Sequence, residues 1–346
     1  MIVKDAKDVA RRWVEEQAST VPGFWGAFFH GSTNWLSNDA VVSPASDVDV
    51  MVALDGAHPP DKLGKFRYRD VLLEVSYLPS DQLRSADQIL SQYHLAGSFH
   101  TPSVIVDPSG QLTALQMAVA KEYAKRDRVY QRCDDARTRV LRKLQSLNEA
   151  EPFHDQVTAW LFATGVVLHI LLVAVLRNPT VRNRYVATRE LLRDYGQLDI
   201  YEPLLEQLGC AQMSRARAEH HLAALAGAFD VAKTVVKTPF FFTADISDIA
   251  RPIAIDGSRD LIAVGDHREA VFWMVATYSR CQKVLYHDAP KEVQERCGLG
   301  YRHLLGDLGI ASFADLRRRG DEVAAFLPQV WAVAEAIIAA NPDIEA

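Results

Sequence analysis

The stretch HGSTNWLSNDAVVSPASDVDVMVAL, residues 30–54, sets a Gly-Ser turn some fifteen positions ahead of two acids. Asp47 and Asp49 are separated by one valine and run into the apolar VMVAL. Residues 47–54 are predicted to form a strand, whose side chains alternate between faces. Both carboxylates then point to one side of a sheet, with Val48 and Val50 on the other. Burying one unpaired carboxylate is costly, and burying two side by side costs more unless a cation neutralises them. The pair therefore demands either water or a positive partner.

Upstream, Phe24–His30 reads as a short buried strand running into Gly31, where a residue without Cβ permits a tight turn and close approach to a ligand. Ser32 adds a hydroxyl and an amide at the expected start of a short helix, a place that favours phosphate. Downstream, a third strand is expected over 68–79, with Glu74 between Leu73 and Val75. If that strand pairs beside residues 47–54, Glu74 joins the two aspartates. Three converging carboxylates suit a hard cation, and Mg²⁺ with oxygen ligands and a phosphate co-ligand is the natural one.

A fourth strand, 103–107, ends in the turn Pro108-Ser109-Gly110. Helices are expected at 3–19 and 81–92, and a loop at 57–66. Beyond about residue 111 the pattern turns helical. One nearly unbroken helix is expected to about 150, then others over 154–178, 184–195, 214–237, 266–286 and 320–340. The expected fold is α+β: a small mixed-sheet domain, residues 1–112, followed by a larger all-α domain, residues 113–346.

At 346 residues, 49% hydrophobic and 24% charged, the chain can bury two cores of useful size. Its net charge of −6 gives no general nucleic-acid-binding field, so nucleic acid is not an expected partner. Cys133, Cys210, Cys281 and Cys297 form no CxxC pair, which argues against a zinc site or disulfide framework and fits a reducing cytoplasm. The charged, amphipathic first residues do not read as a signal peptide. VTAWLFATGVVLHILLVAVL, residues 157–176, has no formal charge, and at ~1.5 Å per residue it could cross a ~30 Å bilayer core. His169, Gly165 and two threonines lie inside it, and no second such segment is read, so a buried helix is expected and no membrane partner.

In order and type, HGS at 30–32, SDVDVMV at 46–52 and LLEVSY at 72–77 resemble the nucleotidyltransferase superfamily with the polymerase β-like fold. Within it the likeness is to the antibiotic nucleotidyltransferases that modify aminoglycosides and lincosamides. SVIVDPSGQL, residues 103–112, also looks like the strand and turn that close that domain. The resemblance covers residues 24–112; beyond them it continues only as a helical C-terminal domain, the acceptor side of the cleft. It gives Gly31, Ser32 and Ser46 to the nucleotide, and Asp47, Asp49 and Glu74 to catalysis and Mg²⁺, with Glu74 as third ligand or general base. It implies ATP or another nucleoside triphosphate as co-substrate and a small hydroxyl-bearing acceptor. His30 departs from the usual apolar or aromatic residue, and the segment before Asp47 is slightly long.

Other readings stand beside these. Asp47 and Asp49 could lie on an edge strand facing water, Glu74 on a half-exposed strand, and Ser32 in a plain turn. His30 is expected to be a satisfied structural residue. Trp35, Trp160, Trp273 and Trp331 are expected in the core. Arg182, Arg184, Arg189 and Arg193 are expected on a solvated helix face rather than at a triphosphate. Glu190 and Glu269 are conceivable acceptor-side bases. A protein or tRNA acceptor, or a non-catalytic nucleotide-binding regulator, are the competing functions; the lack of a basic stripe counts against RNA, and the presence of all three acids against the regulator.

Overall fold

The computed structural model describes residues 1–43, 45–56, 60 and 62–346, so residues 57–59 and 61 of the expected loop lie outside the described residues. The chain begins with α1 (Val3–Glu16), whose Val3, Ala6, Ala10, Trp13 and Val14 recur at helical spacing and are buried. They pack on one face of a five-stranded sheet: β1 (Phe24–His30), β2 (Val48–Leu54), β3 (Gly64–Tyr68), β4 (Val71–Pro79) and β5 (Val104–Val106). The strand order is β3-β4-β2-β1-β5. β2 and β4 run parallel, and the other neighbours are antiparallel, which makes the sheet mixed.

Alternation on β2 explains its register. Val48, Val50 and Val52 face α1 and are buried, and each contributes about 1.5–3 kcal/mol by leaving water. A one-residue slip would drive Asp49 into that core, so the valines fix which way the acids point. Asp47 lies just ahead of the strand rather than inside it.

The expected single strand at 68–79 is instead the hairpin β3–β4, and β3 takes up the last three residues of the expected loop. Its two-residue turn is Arg69-Asp70, with both φ values positive at 47° and 66°. That backbone matches the twist of a hairpin, but it is normally signalled by Asn-Gly or Asp-Gly. Arg-Asp carries no such signal, so the turn was hidden in the sequence.

Short helices α2 (Ala86–Leu90) and α3 (Tyr93–Ala96) replace the single helix expected at 81–92, and α4 (Gln111–Glu122) and α5 (Arg126–Gln145) follow β5. The helical chain expected to run unbroken from 111 is interrupted at 123–125, where Lys125 bridges to Glu345. Two compact units result: Met1–Arg132 with Phe241–Asp245 and Pro342–Ala346, and Cys133–Phe240 with Ile246–Asn341. The division thus falls at 132/133 rather than 112/113. Helical composition begins at 111, yet α4 belongs with the sheet: Gln116 Oε1 accepts the amides of Ser103 and Val104, each at 3.3 Å.

The helical unit holds α6 (Phe153–Ala174), α7 (Arg184–Asp194), α8 (Tyr201–Leu208), α9 (Arg215–Val235), α10 (Gly257–Ala263), α11 (Val271–Asp288), α12 (Lys291–Asp307) and α13 (Phe313–Ala340). Sequence pattern missed α8, α10 and α12. In α12, Gly298, Gly300 and Gly306 lower the propensity by about 1 kcal/mol each. Packing accounts for one of them, because a side chain at Gly300 would strike the Tyr278 hydroxyl and Ala224.

Among the described residues two helices, α6 and α13, are long and apolar enough to cross a membrane, which corrects the expectation of a single such segment. In α6, 83% of the most apolar 18-residue window is buried inside the protein, compatible with a core helix of a soluble protein. α13 buries one stripe, including Val323, Phe326, Val330, Ala334 and Ile337, and its small alanines raise its mean hydropathy. Of the tryptophans expected in the core, only Trp160 is fully buried. Trp35 is half-buried against His100 at 4.2 Å between ring centres, while Trp331 and Trp273 lie beneath Arg137 and Arg280. The four cysteines are free thiols, three of them buried.

Candidate metal centre

The register places four polar side chains in one row across the sheet. His30 on β1 pairs with Asp49 on β2, Asp49 with Glu74 on β4, and Glu74 with Lys65 on β3. Directly paired residues share a face, so all four project from the side opposite α1. Asp47, two residues before Asp49, faces the same way. Carboxylate oxygens of Asp47, Asp49 and Glu74 come within 4.8 Å of one another. The three acids read from the sequence are thus brought together.

Their positive partners were not read from the sequence. Lys65 Nζ lies 2.8 Å from Asp47 Oδ2 and 3.2 Å from Asp245 Oδ1, and it donates to Glu74 Oε2. Lys62 donates to Glu74 Oε1. Three carboxylates therefore share two ammonium groups, and the Asp49 carboxyl lies beside them. Burial and the Asp47 carboxylate push the Asp49 carboxyl well above its usual range, and Asp245 adds to this, while Lys65 and Lys62 oppose it. Burial alone would depress the Lys65 ammonium, but Asp47, Asp245 and Asp49 outweigh it and raise its pKa.

One signal for Lys65 was available. Once Arg69-Asp70 is recognised as a turn, Lys65 falls opposite Glu74 by simple counting. Nothing local points to Asp245, which arrives on the remote segment Phe241–Asp245.

Gly31 meets the requirement read for it. Its φ is +66°, and a side chain there would overlap the Asp49 carboxylate. Ser32 opens a 3₁₀ turn of three residues rather than a helix, so little aligned dipole stands behind its amide. Its hydroxyl has no hydrogen-bond partner among the described residues. Ser46 is half-buried, and its amide donates to Ser43 O at 2.9 Å. His30 Nδ1 pairs with Ser98 Oγ, and burial holds the imidazole down to about 4, so the ring is neutral near pH 7.

No protein-family model matches the sequence, and no curated protein matches it. An all-oxygen set of three carboxylates suits a hard divalent cation such as Mg²⁺ and leaves coordination positions for phosphate or water.

The remaining candidates sit in the helical unit, and most are tied into it. Arg184 is buried over the Phe272 ring and donates to Val181 O, contrary to the solvated face expected. Arg189 binds Glu269 and Asp266, each at 2.7 Å, and Arg182 reaches Ile253 O. Arg193 and Glu190 are exposed. Glu269 is buried and held by Arg189 and the Tyr201 hydroxyl.

Proposed function

We propose that this protein is a Mg²⁺-dependent nucleotidyltransferase with a polymerase β-like first domain. It transfers a nucleoside monophosphate, AMP from ATP in the first instance, to a hydroxyl of a small acceptor. The observation that carries the reading is the approach of three carboxylates within 4.8 Å on one face of adjacent strands, beside a glycine that leaves space at Asp49. The donor set fits the metal by chemistry: three acids, all oxygen, with net negative charge left after the two lysines. Asp47, Asp49 and Glu74 would hold Mg²⁺. When bound, it supplies positive charge to phosphate oxygens.

The reaction needs positioning more than covalent chemistry. An acceptor oxygen forms a bond to the α-phosphorus, the bond from that phosphorus to the bridging oxygen breaks, and pyrophosphate departs with that electron pair. The acceptor proton passes to a carboxylate or to water. Both oxygens of Glu74 are already engaged, one by Lys62 and one by Lys65, which suits the part of ligand better than that of free base. Gly31, Ser32 and Ser46 would receive the triphosphate. A small acceptor is favoured over RNA by the net charge of −6. The free thiols accord with a cytoplasmic setting.

The test is transfer itself. The four common nucleoside triphosphates are incubated with Mg²⁺ and a panel of aminoglycosides, lincosamides, other polyhydroxyl compounds, proteins and tRNA. Pyrophosphate release and a mass gain of one nucleoside monophosphate on an acceptor are expected, both lost in Asp47→Asn. Labelling of protein or tRNA alone would replace the small acceptor by a macromolecular one. Absence of any Mg²⁺-dependent transfer would defeat the reading.

A further inference from the structure

Lys65 occupies an unusual position among the acids. It is only 7% exposed, and its ammonium touches three carboxylates on three separate segments: Asp47 ahead of β2, Glu74 on β4 and Asp245 on the returning segment. Two of the three, Asp47 and Glu74, belong to the triad that would hold a metal. Asp245 does not. It is 13% exposed and seated against β3, where Ala244 lies so close to Gly64 that a side chain on the glycine would strike it.

Resting on the metal-binding reading above, we propose that Lys65 is an internal counter-ion with two seats. Without metal its ammonium holds Asp47 and Glu74 together; a divalent cation displaces it from them, and Asp245 retains it. The physical reason is competition for the same oxygens. A divalent cation and an ammonium group cannot share Asp47 and Glu74 without repelling each other strongly at such short range. Lysine suits the exchange because its charge is compact and its four-carbon stem is flexible. Its release leaves no unpaired buried cation, since the Asp245 contact is already made. Lys62, at 23% exposed, can pass to water when it leaves Glu74. In this arrangement the acids stay gathered before the metal arrives, and the cost of displacing Lys65 tempers the affinity for it.

The experiment uses the full chain and Mn²⁺ alone as probe, with binding followed by electron paramagnetic resonance of the free ion and by thermal melting. Lys65→Met keeps the stem and removes the competitor. It should bind Mn²⁺ about tenfold more tightly than wild type, a coupling typical of charges in direct contact. It should also melt lower than wild type without metal and gain more on adding it. Asp245→Asn removes the second seat and should weaken Mn²⁺ binding in the wild-type background, with little effect in Lys65→Met. If wild type binds Mn²⁺ and Lys65→Met binds equally or less tightly, lysine and metal coexist, and the proposal falls while the metal reading stands. If neither protein binds Mn²⁺, the metal reading falls and takes this one with it. Should Lys65→Met fail to fold, Asp245→Asn decides alone: unchanged affinity overturns the second seat.

Discussion

In the helical unit Glu269, 2% exposed, accepts hydrogen bonds from Arg189 and Tyr201, and Arg189 also holds Asp266. In the sheet unit Asp47, Glu74 and Asp245 share Lys62 and Lys65, with Asp49 crowded beside Asp47. The first cluster is closed. Burial and the Glu269 carboxylate push the Tyr201 hydroxyl up, so it stays a donor, and Glu269 Oε1 accepts from both Tyr201 and Arg189. The second is open, because one carboxyl, Asp49, is crowded by Asp47 and forced well above its usual range. A closed cluster holds the fold and asks for nothing further. An open one is less stable as it stands and gains from a cation, which is how a binding site differs from a structural ion pair.

The largest effect expected is on metal binding. Asp49→Asn should weaken Mn²⁺ binding by at least the 10–100-fold that loss of an outer-shell partner costs. Because it also removes a crowded carboxylate, it should raise the melting temperature of the metal-free protein. A lower melting temperature in Asp49→Asn would break the contrast between the two clusters. In the closed cluster the sign reverses. Glu269→Ala takes the acceptor from the Tyr201 hydroxyl and from Arg189 Nη1, leaving Arg189 only Asp266, and should destabilise by about 3 kcal/mol in a denaturant titration.

The pH dependence sharpens the comparison within the sheet unit, where His30 and Asp49 are cross-strand neighbours with opposite shifts. The folded pKa of Asp49 is raised, so its contribution is full below its ordinary value of 3.8 and is lost as pH rises through the folded value. For His30 the folded value is lowered from 6.5 to about 4. Its contribution is present above pH 6.5 and lost as pH falls toward 4, up to about 3 kcal/mol for a shift of that size. In metal-free protein His30→Gln should flatten the acid-side loss between pH 6.5 and 4, whereas Asp49→Asn should flatten the loss on going upward from acid. Identical pH profiles for both variants would remove the opposition between these neighbours. The smallest effect falls at the turn. Gly31→Ala puts a side chain at φ +66°, ψ −160° and against Asp49, and should cost about 1–3 kcal/mol from the backbone alone. A normal melting temperature would mean that Asp49 can move aside.

Local pattern fixed a good part of this protein. The period of two in Asp47-Val48-Asp49-Val50 assigned both acids to one face, because the valines' burial outweighs any other register. Gly31 was legible because no other residue suits both its φ and its closeness to Asp49. The long helices α6, α9, α11 and α13 were legible from composition, since extended apolar periodicity leaves few alternatives. Tertiary structure decided what local pattern cannot carry. The hairpin at Arg69-Asp70 uses a backbone that its residues do not advertise, so β3 and Lys65 were lost with it. Asp245 reaches β3 from nearly two hundred positions along the chain, and no periodicity encodes such a return. The same holds for Arg184, which composition assigns to water and packing places over Phe272. Sequence spacing determines which face a side chain leaves by; which charges then meet there depends on how distant segments fold together.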